Sequence, residues 1–133
     1  MTNSAVTTSR EVVHTDAAPA AIGTYSQAVR AGNLVFMSGQ IPLDPLTMQI
    51  VGDDPTLQIH QVFRNLRAVA IAAGCTLDQA VKITVFLTDL AHFPLVNSTM
   101  AEYFKTPYPA RAAIGVAALP RGALVEIEAI LAV

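Results

Sequence analysis

The sequence contains a single cysteine, no tryptophan and few charged residues. Cys75 has no second cysteine with which to form an internal disulfide, which favours a reducing compartment. No run of uncharged apolar residues approaches the roughly 20 residues that a membrane-spanning helix needs. The N-terminus lacks the basic and apolar segments of a secretory signal. These absences predict a cytoplasmic protein with no membrane partner.

Motifs for several ligand classes are also missing. The three histidines, His14, His60 and His92, have neither the spacing of metal ligands nor cysteines beside them, so no metal site is predicted. The sequence has no glycine-rich phosphate loop. The net charge is −2 and the eight basic residues are scattered along the chain, which argues against nucleic acid as a partner.

Apolar residues are abundant: they make up 53 % of the 133 residues, whereas charged residues make up 14 %. A chain of this length forms one domain with a single core. Residues 1–9 are small and polar and are predicted to be a flexible N-terminal tail, with residues 10–133 forming the domain. The low charge suggests that copies of the chain cover much of its surface.

The pattern of apolar residues and turn signals predicts six strands and two helices. In chain order these are a strand within 10–16, a hairpin over 27–38, a helix from Asp54 to Gly74, a strand over 81–88, a helix over about 91–104 and a hairpin over 109–131. Asp54 and Pro55 are typical of a helix start, and Gly74 of a helix end. This order favours an α+β sandwich in which two helices cover one face of a sheet and further copies bury the other face.

The stretch from Pro109 to Leu131 is predicted to be a hairpin because Pro120 and Gly122 separate two β-compatible runs. With a turn at that place, Arg111 and Glu126 lie about five residues out of register, or roughly 16 Å apart at the rise of a strand. If both side chains serve one site, they come from different chains. This geometry points to an oligomer with its site between subunits.

The charges of this stretch lie in apolar surroundings. Arg111 shares a strand face with Ala113 and Gly115, whose small side chains leave open volume beside the guanidinium. The alternative for Arg111 is a surface or interface ion pair. The alternative for Glu126 and Glu128 is a solvated strand face. Residue types alone leave these alternatives open.

Several separate motifs occur in one order along the chain. They are APAAIGTYSQAV at 18–29, MSGQIP at 37–42, VKITVFLTDL at 81–90, Val96-Asn97, and PAR followed by LPRGALVEIEAI within 109–130. With these motifs the chain, over roughly 17–133, resembles the RidA/YjgF family of reactive-intermediate (imine/enamine) deaminases.

The resemblance implies a fold, an assembly and a reaction. The fold would be a chorismate-mutase-like α+β sandwich, with one mostly antiparallel mixed six-stranded sheet and two helices on one face. The assembly would be a homotrimer with clefts between subunits. The reaction would be the hydrolysis of 2-imino acids or 2-aminoacrylate, released by pyridoxal-phosphate enzymes, to 2-keto acids and ammonia. The family needs no cofactor and no metal for this reaction.

The resemblance also implies roles for individual residues. Arg111 would hold the substrate carboxylate, for which an arginine fork is the best bidentate partner. Glu126 would position or activate the water. The other residues assigned to the cleft are Tyr25, which is counted with the catalytic residues, Asn97, Gly39 through its backbone, and Ala113 through its backbone N–H.

The chain departs from the family pattern at three positions. Thr24 stands where proline is common, Ala112 where serine is common, and Ala113 where cysteine, serine or threonine is common. Ala113 has no side-chain nucleophile, but its backbone amide remains. We therefore expect activity with an altered substrate range.

Two other functions remain open from the sequence. One is a non-catalytic module that binds a small carboxylate such as a 2-oxo acid between subunits, and it needs Arg111 but not Glu126. The other is a ribonuclease or translation inhibitor, as some members of the family have been labelled. The acidic net charge and the scattered cations argue against RNA as a substrate.

Overall fold

Strands and helices lie close to the predicted positions in the computed structural model, which describes residues 9–133. The predicted tail, residues 1–9, lies outside the described residues except for Ser9. Within the described part of the chain, no helix has the length and apolar character needed to cross a membrane. The elements are the strands β1 (Arg10–Val13), β2 (Ala28–Ala31), β3 (Leu34–Gln40), β4 (Ala80–Leu87), β5 (Ala110–Gly115) and β6 (Val125–Ala132), and the helices α1 (Pro55–Ala72) and α2 (Phe93–Met100).

Local turn and cap signals act as predicted in the first hairpin and the first helix. Gly32 and Asn33 form the two-residue turn between β2 and β3, and Gly32 has a φ of 59°, a conformation that favours glycine. The side chain of Asp54 accepts a hydrogen bond from the backbone N–H of Leu57 and so caps α1. Gly74, with a φ of 78°, follows the last turn and ends the helix.

Helix α2 is shorter than the helix predicted over about 91–104. A 3₁₀ turn at Leu90–His92 precedes it. Beyond Met100 the backbone hydrogen bonds of Glu102 and Tyr103 have a spacing of three residues, as from the N–H of Tyr103 to the oxygen of Met100. Phe104, just after this turn, is buried, as its helical spacing predicts.

The strands follow the order β1-β2-β3-β6-β4-β5 across the sheet. β4 and β5 are parallel, whereas every other neighbouring pair is antiparallel. The hairpin predicted over 109–131 is therefore wrong, because β4 lies between β5 and β6. Helix α2 carries the chain from β4 to its parallel neighbour β5 at the sheet edge, as a parallel pair requires. The turn at Pro120–Gly122 then leads past β4 to β6.

The core lies between the two helices and the sheet face that they cover. Alternate side chains of the central strands enter it, among them Ile83, Val85 and Leu87 of β4 and Ile127 and Leu131 of β6, all fully buried. Both helices pack on this one face. The predicted α+β sandwich, a mixed six-stranded sheet with two helices on one face, is confirmed.

The opposite sheet face has no covering layer among the described residues. Strand pairing aligns one residue of each strand across it, in the order Val12, Val29, Phe36, Ile130, Lys82 and Ala110. We call this row the open-face strip. Five of its six residues are apolar, and Val12 and Phe36 are 68 % and 44 % exposed. An apolar strip of this kind favours burial against another protein surface.

Candidate active site

Two clefts hold most of the residues that the resemblance assigns to catalysis. The first has a volume of about 320 Å³, lies between α2 and the segment that enters β5, and contains Arg111 and Asn97. The second has a volume of about 420 Å³, lies where β3 ends and β6 begins, and contains Tyr25, Gly39 and Glu126. We call them the arginine cleft and the glutamate cleft.

Helix α2 holds Arg111 in the arginine cleft. Nη1 of Arg111 donates a hydrogen bond to Oδ1 of Asn97 at 3.0 Å and another to the sulfur of Met100 at 3.6 Å. The guanidinium carbon lies 4.7 Å from the centre of the Phe93 ring, within the range of a cation–π interaction. Arg111 makes no salt bridge among residues 9–133. The ion-pair alternative for this arginine would therefore require another chain.

Strand β5 gives this side of the molecule a free backbone edge. It pairs with β4 alone, and the N–H of Val116 donates to the oxygen of Leu87 on β4. Because successive residues of a strand point their N–H groups to opposite sides, the N–H of Ala113 points away from β4 and out of the sheet edge. This direction suits the backbone role that the resemblance implies for Ala113. Ala113 lines neither cleft within one chain.

The space predicted beside Gly115 is occupied by a neighbouring side chain. A Cβ on Gly115 would lie 3.1 Å from Cγ of Leu90, which belongs to the turn before α2. The open volume beside Arg111 instead lies toward Tyr108, on the segment before β5. Gly115 thus makes room for Leu90 and does not enlarge the arginine cleft.

Glu126 lies against the backbone of Gly39 in the glutamate cleft. Between Met37 and Gln40 the pairing of β3 with β6 gains one residue on β3, which forms a bulge. A Cβ on Gly39 would overlap the carboxylate of Glu126 and lie 3.0 Å from its carboxyl carbon. The sequence predicts that Gly39 permits a close approach to the backbone, and the group that approaches is Glu126.

The surroundings of Glu126 disfavour its charge. Burial raises the pKa of the Glu126 carboxyl above its ordinary value, and the carboxylate of Glu128 raises it further. Glu126 is half-buried, whereas Glu128 is exposed on the same face of β6. A raised pKa lies closer to neutral pH, and a general base works best when its pKa is near the pH of the reaction. The environment of Glu126 therefore suits a general base, and that of Glu128 a solvated residue.

Tyr25 lies on the loop between β1 and β2. Its hydroxyl accepts a hydrogen bond from the backbone N–H of Ile22 at 3.3 Å. The buried side chain of Gln27 fixes the loop: its Oε1 accepts from the N–H of Thr15 at 2.7 Å, and its Nε2 donates to the oxygen of Pro19 at 2.8 Å. Sequence reasoning missed this role of Gln27, for which its place in the 18–29 motif was the available signal.

Two buried amides on α1 hold the wall of the glutamate cleft. Gln58 donates from Nε2 to the oxygen of Gly52 at 2.7 Å and accepts at Oε1 from the N–H of Leu124 at 2.9 Å. Asn65 donates from Nδ2 to the oxygen of Leu43 at 3.0 Å. These bonds tie the connector before α1 and the start of β6 to the helix. Sequence reasoning missed both residues, although their spacing of seven places them together on the apolar face of the helix.

The two clefts differ in chemical character. The glutamate cleft is lined mainly by apolar side chains, with Glu126 and Arg121 as its charged groups. Nη2 of Arg121 donates to the oxygen of Met48 at 2.9 Å, which joins the turn before β6 to the connector. No group of three or more His, Cys, Asp or Glu side chains in residues 9–133 is placed to hold a metal ion. The clefts thus offer a guanidinium for an anion and a carboxyl group for proton transfer.

One chain does not bring Arg111 and Glu126 together. Strand pairing aligns Arg111 with Ile83 and Glu126 with Phe86 on β4, so their backbones are two strands and three residues apart, or about 14 Å. Ile83 faces the helices and Phe86 the open side, so the two side chains leave opposite faces of the sheet. The predicted separation of Arg111 and Glu126 assumed a hairpin that does not form. The pairing of β5 and β6 with β4 gives their separation instead.

Comparisons of sequence and of structure with known proteins indicate the same family. Residues 15–133 match the family model described as Endoribonuclease L-PSP. Protein DfrA of Myxococcus xanthus is 51 % identical over 123 residues, which cover 91 % of this chain and 94 % of that protein. The 2-iminobutanoate/2-iminopropanoate deaminase of Mus musculus is 48 % identical over 121 residues, which cover 91 % of this chain and 90 % of that protein.

The crystal structure of RidA from the Antarctic bacterium Psychrobacter sp. PAMC 21119 has a TM-score of 0.89 and 50 % identity, covering 92 % of this chain and 99 % of that one. The resemblance drawn from the motifs is confirmed, and the chain belongs to the RidA/YjgF family.

Proposed function

We propose that the protein is an imine/enamine deaminase that hydrolyses 2-imino acids, such as 2-iminopropanoate, to 2-keto acids and ammonia between the subunits of a homotrimer. The observation that carries this proposal is the division of the site. Each chain presents a guanidinium in one cleft and a half-buried carboxyl group in another, too far apart to act on one small acid. The name of the mouse relative, which is 48 % identical, supports the reaction class.

The reaction needs a carboxylate clamp and one group that moves protons. Arg111 of one subunit binds the carboxylate of the imino acid, and Glu126 of the next takes a proton from a water molecule. The water oxygen forms a bond to C2, and the C=N π electrons go to the nitrogen, which takes the proton held by Glu126. Glu126 then passes the hydroxyl proton of the resulting carbinolamine to the nitrogen, the C–N bond breaks, and ammonia departs to leave a 2-keto acid. An enamine such as 2-aminoacrylate first gains a proton at C3 and loses one from its nitrogen, which gives the imine, and then follows the same course.

A trimer would complete the site and cover the apolar sheet face. The open-face strip leaves Val12 and Phe36 strongly exposed in one chain, and a second copy is the surface most readily available to it. In such a ring the arginine cleft of each subunit faces the glutamate cleft of its neighbour. The outward N–H of Ala113 then lies at the same junction.

The first test follows the decay of 2-iminopropanoate, generated by an amino-acid oxidase, to pyruvate. The wild type should accelerate the decay, whereas Arg111→Ala and Glu126→Gln should each abolish the acceleration. Only Arg111→Ala should also lose the binding of pyruvate, because Glu126 does not contact the carboxylate in this scheme. Equal turnover by Glu126→Gln and the wild type would contradict the role of Glu126.

Mixing the two inactive variants tests the division of the site between chains. In trimers assembled from equal amounts of Arg111→Ala and Glu126→Gln chains, about one quarter of the interfaces combine an intact arginine with an intact glutamate. The mixture should therefore recover about a quarter of wild-type activity after joint refolding. A mixture as inactive as its parents would contradict the inter-subunit site.

The alternative function is a module that binds 2-oxo acids without turning them over. The observation that favours it is that the arginine cleft is formed within one chain and contains Arg111, which can bind a carboxylate without any contribution from Glu126. A wild-type protein that binds pyruvate through Arg111 but leaves imine decay unchanged would establish this alternative.

A further inference from the structure

Arg111 is surrounded by three residues of α2 at a regular spacing. Phe93, Asn97 and Met100 lie four and then three positions apart, so they share one face of the helix, which contacts the Arg111 side chain. Phe93 places its ring against the guanidinium, Asn97 accepts a hydrogen bond and Met100 offers its sulfur. The orientation of the arginine is thus set by the helix and not by its own strand.

These contacts use one end of the guanidinium and leave an edge free. Nη1 carries two N–H groups, and Asn97 and Met100 engage this atom. Nε and Nη2 of Arg111 have no hydrogen-bond partner in residues 9–133. The N–H groups of Nε and Nη2 run parallel and match the two oxygens of a carboxylate. The free edge is therefore the one suited to side-on carboxylate binding.

The ring of Phe93 restricts a motion that Asn97 alone would permit. The hydrogen bonds to Asn97 and Met100 both start at Nη1, so they hold this atom more firmly than the tilt of the guanidinium plane. A ring face 4.7 Å from the guanidinium carbon covers one side of the guanidinium and favours its delocalised charge. Ring and hydrogen bond together fix both the position and the tilt of the free edge.

We propose that Phe93 is a positioning residue that orients Arg111, so that its Nε–Nη2 edge receives the carboxylate of the substrate. The inference rests on the proposed function for the identity of that carboxylate and extends it to a residue outside the assigned site. Phe93 also packs partly against the core. The test must therefore separate orientation of Arg111 from simple packing.

Two substitutions at Phe93 and one at a distant phenylalanine make this separation. Phe93→Leu keeps an apolar side chain but removes the ring face, whereas Phe93→Tyr keeps the ring. Phe104→Leu is the matched control, because Phe104 is buried beyond the other end of α2, packs against Phe63 and does not line the arginine cleft. Binding of pyruvate, the kinetics of 2-iminopropanoate hydrolysis and melting temperature would be measured for all three.

The ring face of a partly exposed cation–π pair accounts for about a two- to fivefold difference in affinity. Phe93→Leu should raise the pyruvate Kd and the imine KM by about that factor with kcat nearly unchanged, the pattern of lost uniform binding. Phe93→Tyr should restore both values. Phe104→Leu should lower the melting temperature but leave Kd as in the wild type.

A spectroscopic readout makes the result independent of turnover. The Nε–H proton of Arg111 lies near an aromatic ring, so its NMR signal should move on Phe93→Leu and stay near its wild-type position on Phe93→Tyr. Equal Kd values for the wild type and Phe93→Leu, or an unmoved Nε–H signal, would overturn the inference while the deaminase proposal stands. Absent imine turnover with Arg111-dependent pyruvate binding that Phe93→Leu weakens would reject the deaminase and keep the inference. A wild type that neither binds pyruvate nor accelerates imine decay would overturn both.

Discussion

Glu126 is held where two influences oppose its ionisation. Partial burial on β6 contributes most, and the carboxylate of Glu128, two residues along the same strand face, adds to it. The structure places no cation in hydrogen-bond contact with Glu126 among residues 9–133. The charge on Glu128 is therefore a means to adjust the proton affinity of Glu126 without touching the substrate.

Replacing Glu128 by glutamine should move the pH profile of the reaction. Without the Glu128 charge, the pKa of Glu126 falls toward its ordinary value. Only ionised Glu126 can take a proton from water, so activity is lost as the pH falls through that pKa, and the acid limb of kcat/KM should shift to lower pH in Glu128→Gln. The pH dependence of imine hydrolysis measures this shift. Glu11→Gln, an exposed change on β1, is the control, and coincident acid limbs for Glu128→Gln and the wild type would contradict the coupling.

At the scale of an element, the bulge in β3 places Gly39 directly under the Glu126 carboxylate. An added methyl group would push this carboxylate aside, and a displacement of about 1 Å can cost about a hundredfold in rate. We expect Gly39→Ala to lower kcat/KM at least about tenfold while the protein still folds. Steady-state kinetics and circular dichroism would check both parts.

Ser38→Ala is the matched control for Gly39→Ala. It lies in the same bulge and removes the hydrogen bond from the Ser38 hydroxyl to the oxygen of Ser26, but it adds nothing beside Glu126. It should keep most of the activity. An active Gly39→Ala protein would mean that Glu126 has room to move without loss of function.

Elements with local signals were predictable, and long-range neighbours were not. The Asp54 cap and the Gly32-Asn33 turn depend on residues close in sequence, so their positions follow from the sequence. Pro120 and Gly122 do form a turn, but nothing in 109–131 indicates that β4 enters between the two strands. That insertion follows from the crossover through α2, which only the whole sheet defines.

The site shows the same division between local and distant information. Motifs predict Arg111 and Glu126 as site residues, because the proposed chemistry needs those residue types. The proposed contribution of Phe93 depends on its contact with the Arg111 side chain of β5, and the residues next to Phe93 in the sequence do not indicate this contact. The buried amides of Gln58 and Asn65 interrupt an apolar helix face, and this polar pair is a signal that sequence reasoning can use elsewhere.

At the scale of the whole molecule, the open-face strip is the surface whose burial would drive assembly. Phe36 lies within it and is 44 % exposed in one chain, so Phe36→Asp should leave the fold intact but prevent association. Sedimentation velocity should show a trimer for the wild type and a particle near the chain mass of 14.1 kDa for the variant. Imine turnover should fall with the loss of the trimer, because each site would lose the neighbouring half.

Leu46→Asp provides the control for this assembly test. Leu46 is 90 % exposed on the connector before α1 and lies outside the strip. The same substitution there should change neither mass nor turnover. Phe36→Asp protein that sediments with the wild type would place the interface elsewhere.

The packing of Leu90 over Gly115 constrains how the protein can evolve. The two positions belong to different elements but share one volume, since a Cβ at 115 would meet Leu90 at 3.1 Å. A mutation that enlarges residue 115 first would require the Leu90 side chain to shift, and Leu90 belongs to the turn before α2, the helix that holds Arg111. A mutation that shortens residue 90 first opens a space that a larger residue 115 can fill. We therefore expect residues 90 and 115 to change together, with the smaller residue at 90 coming first.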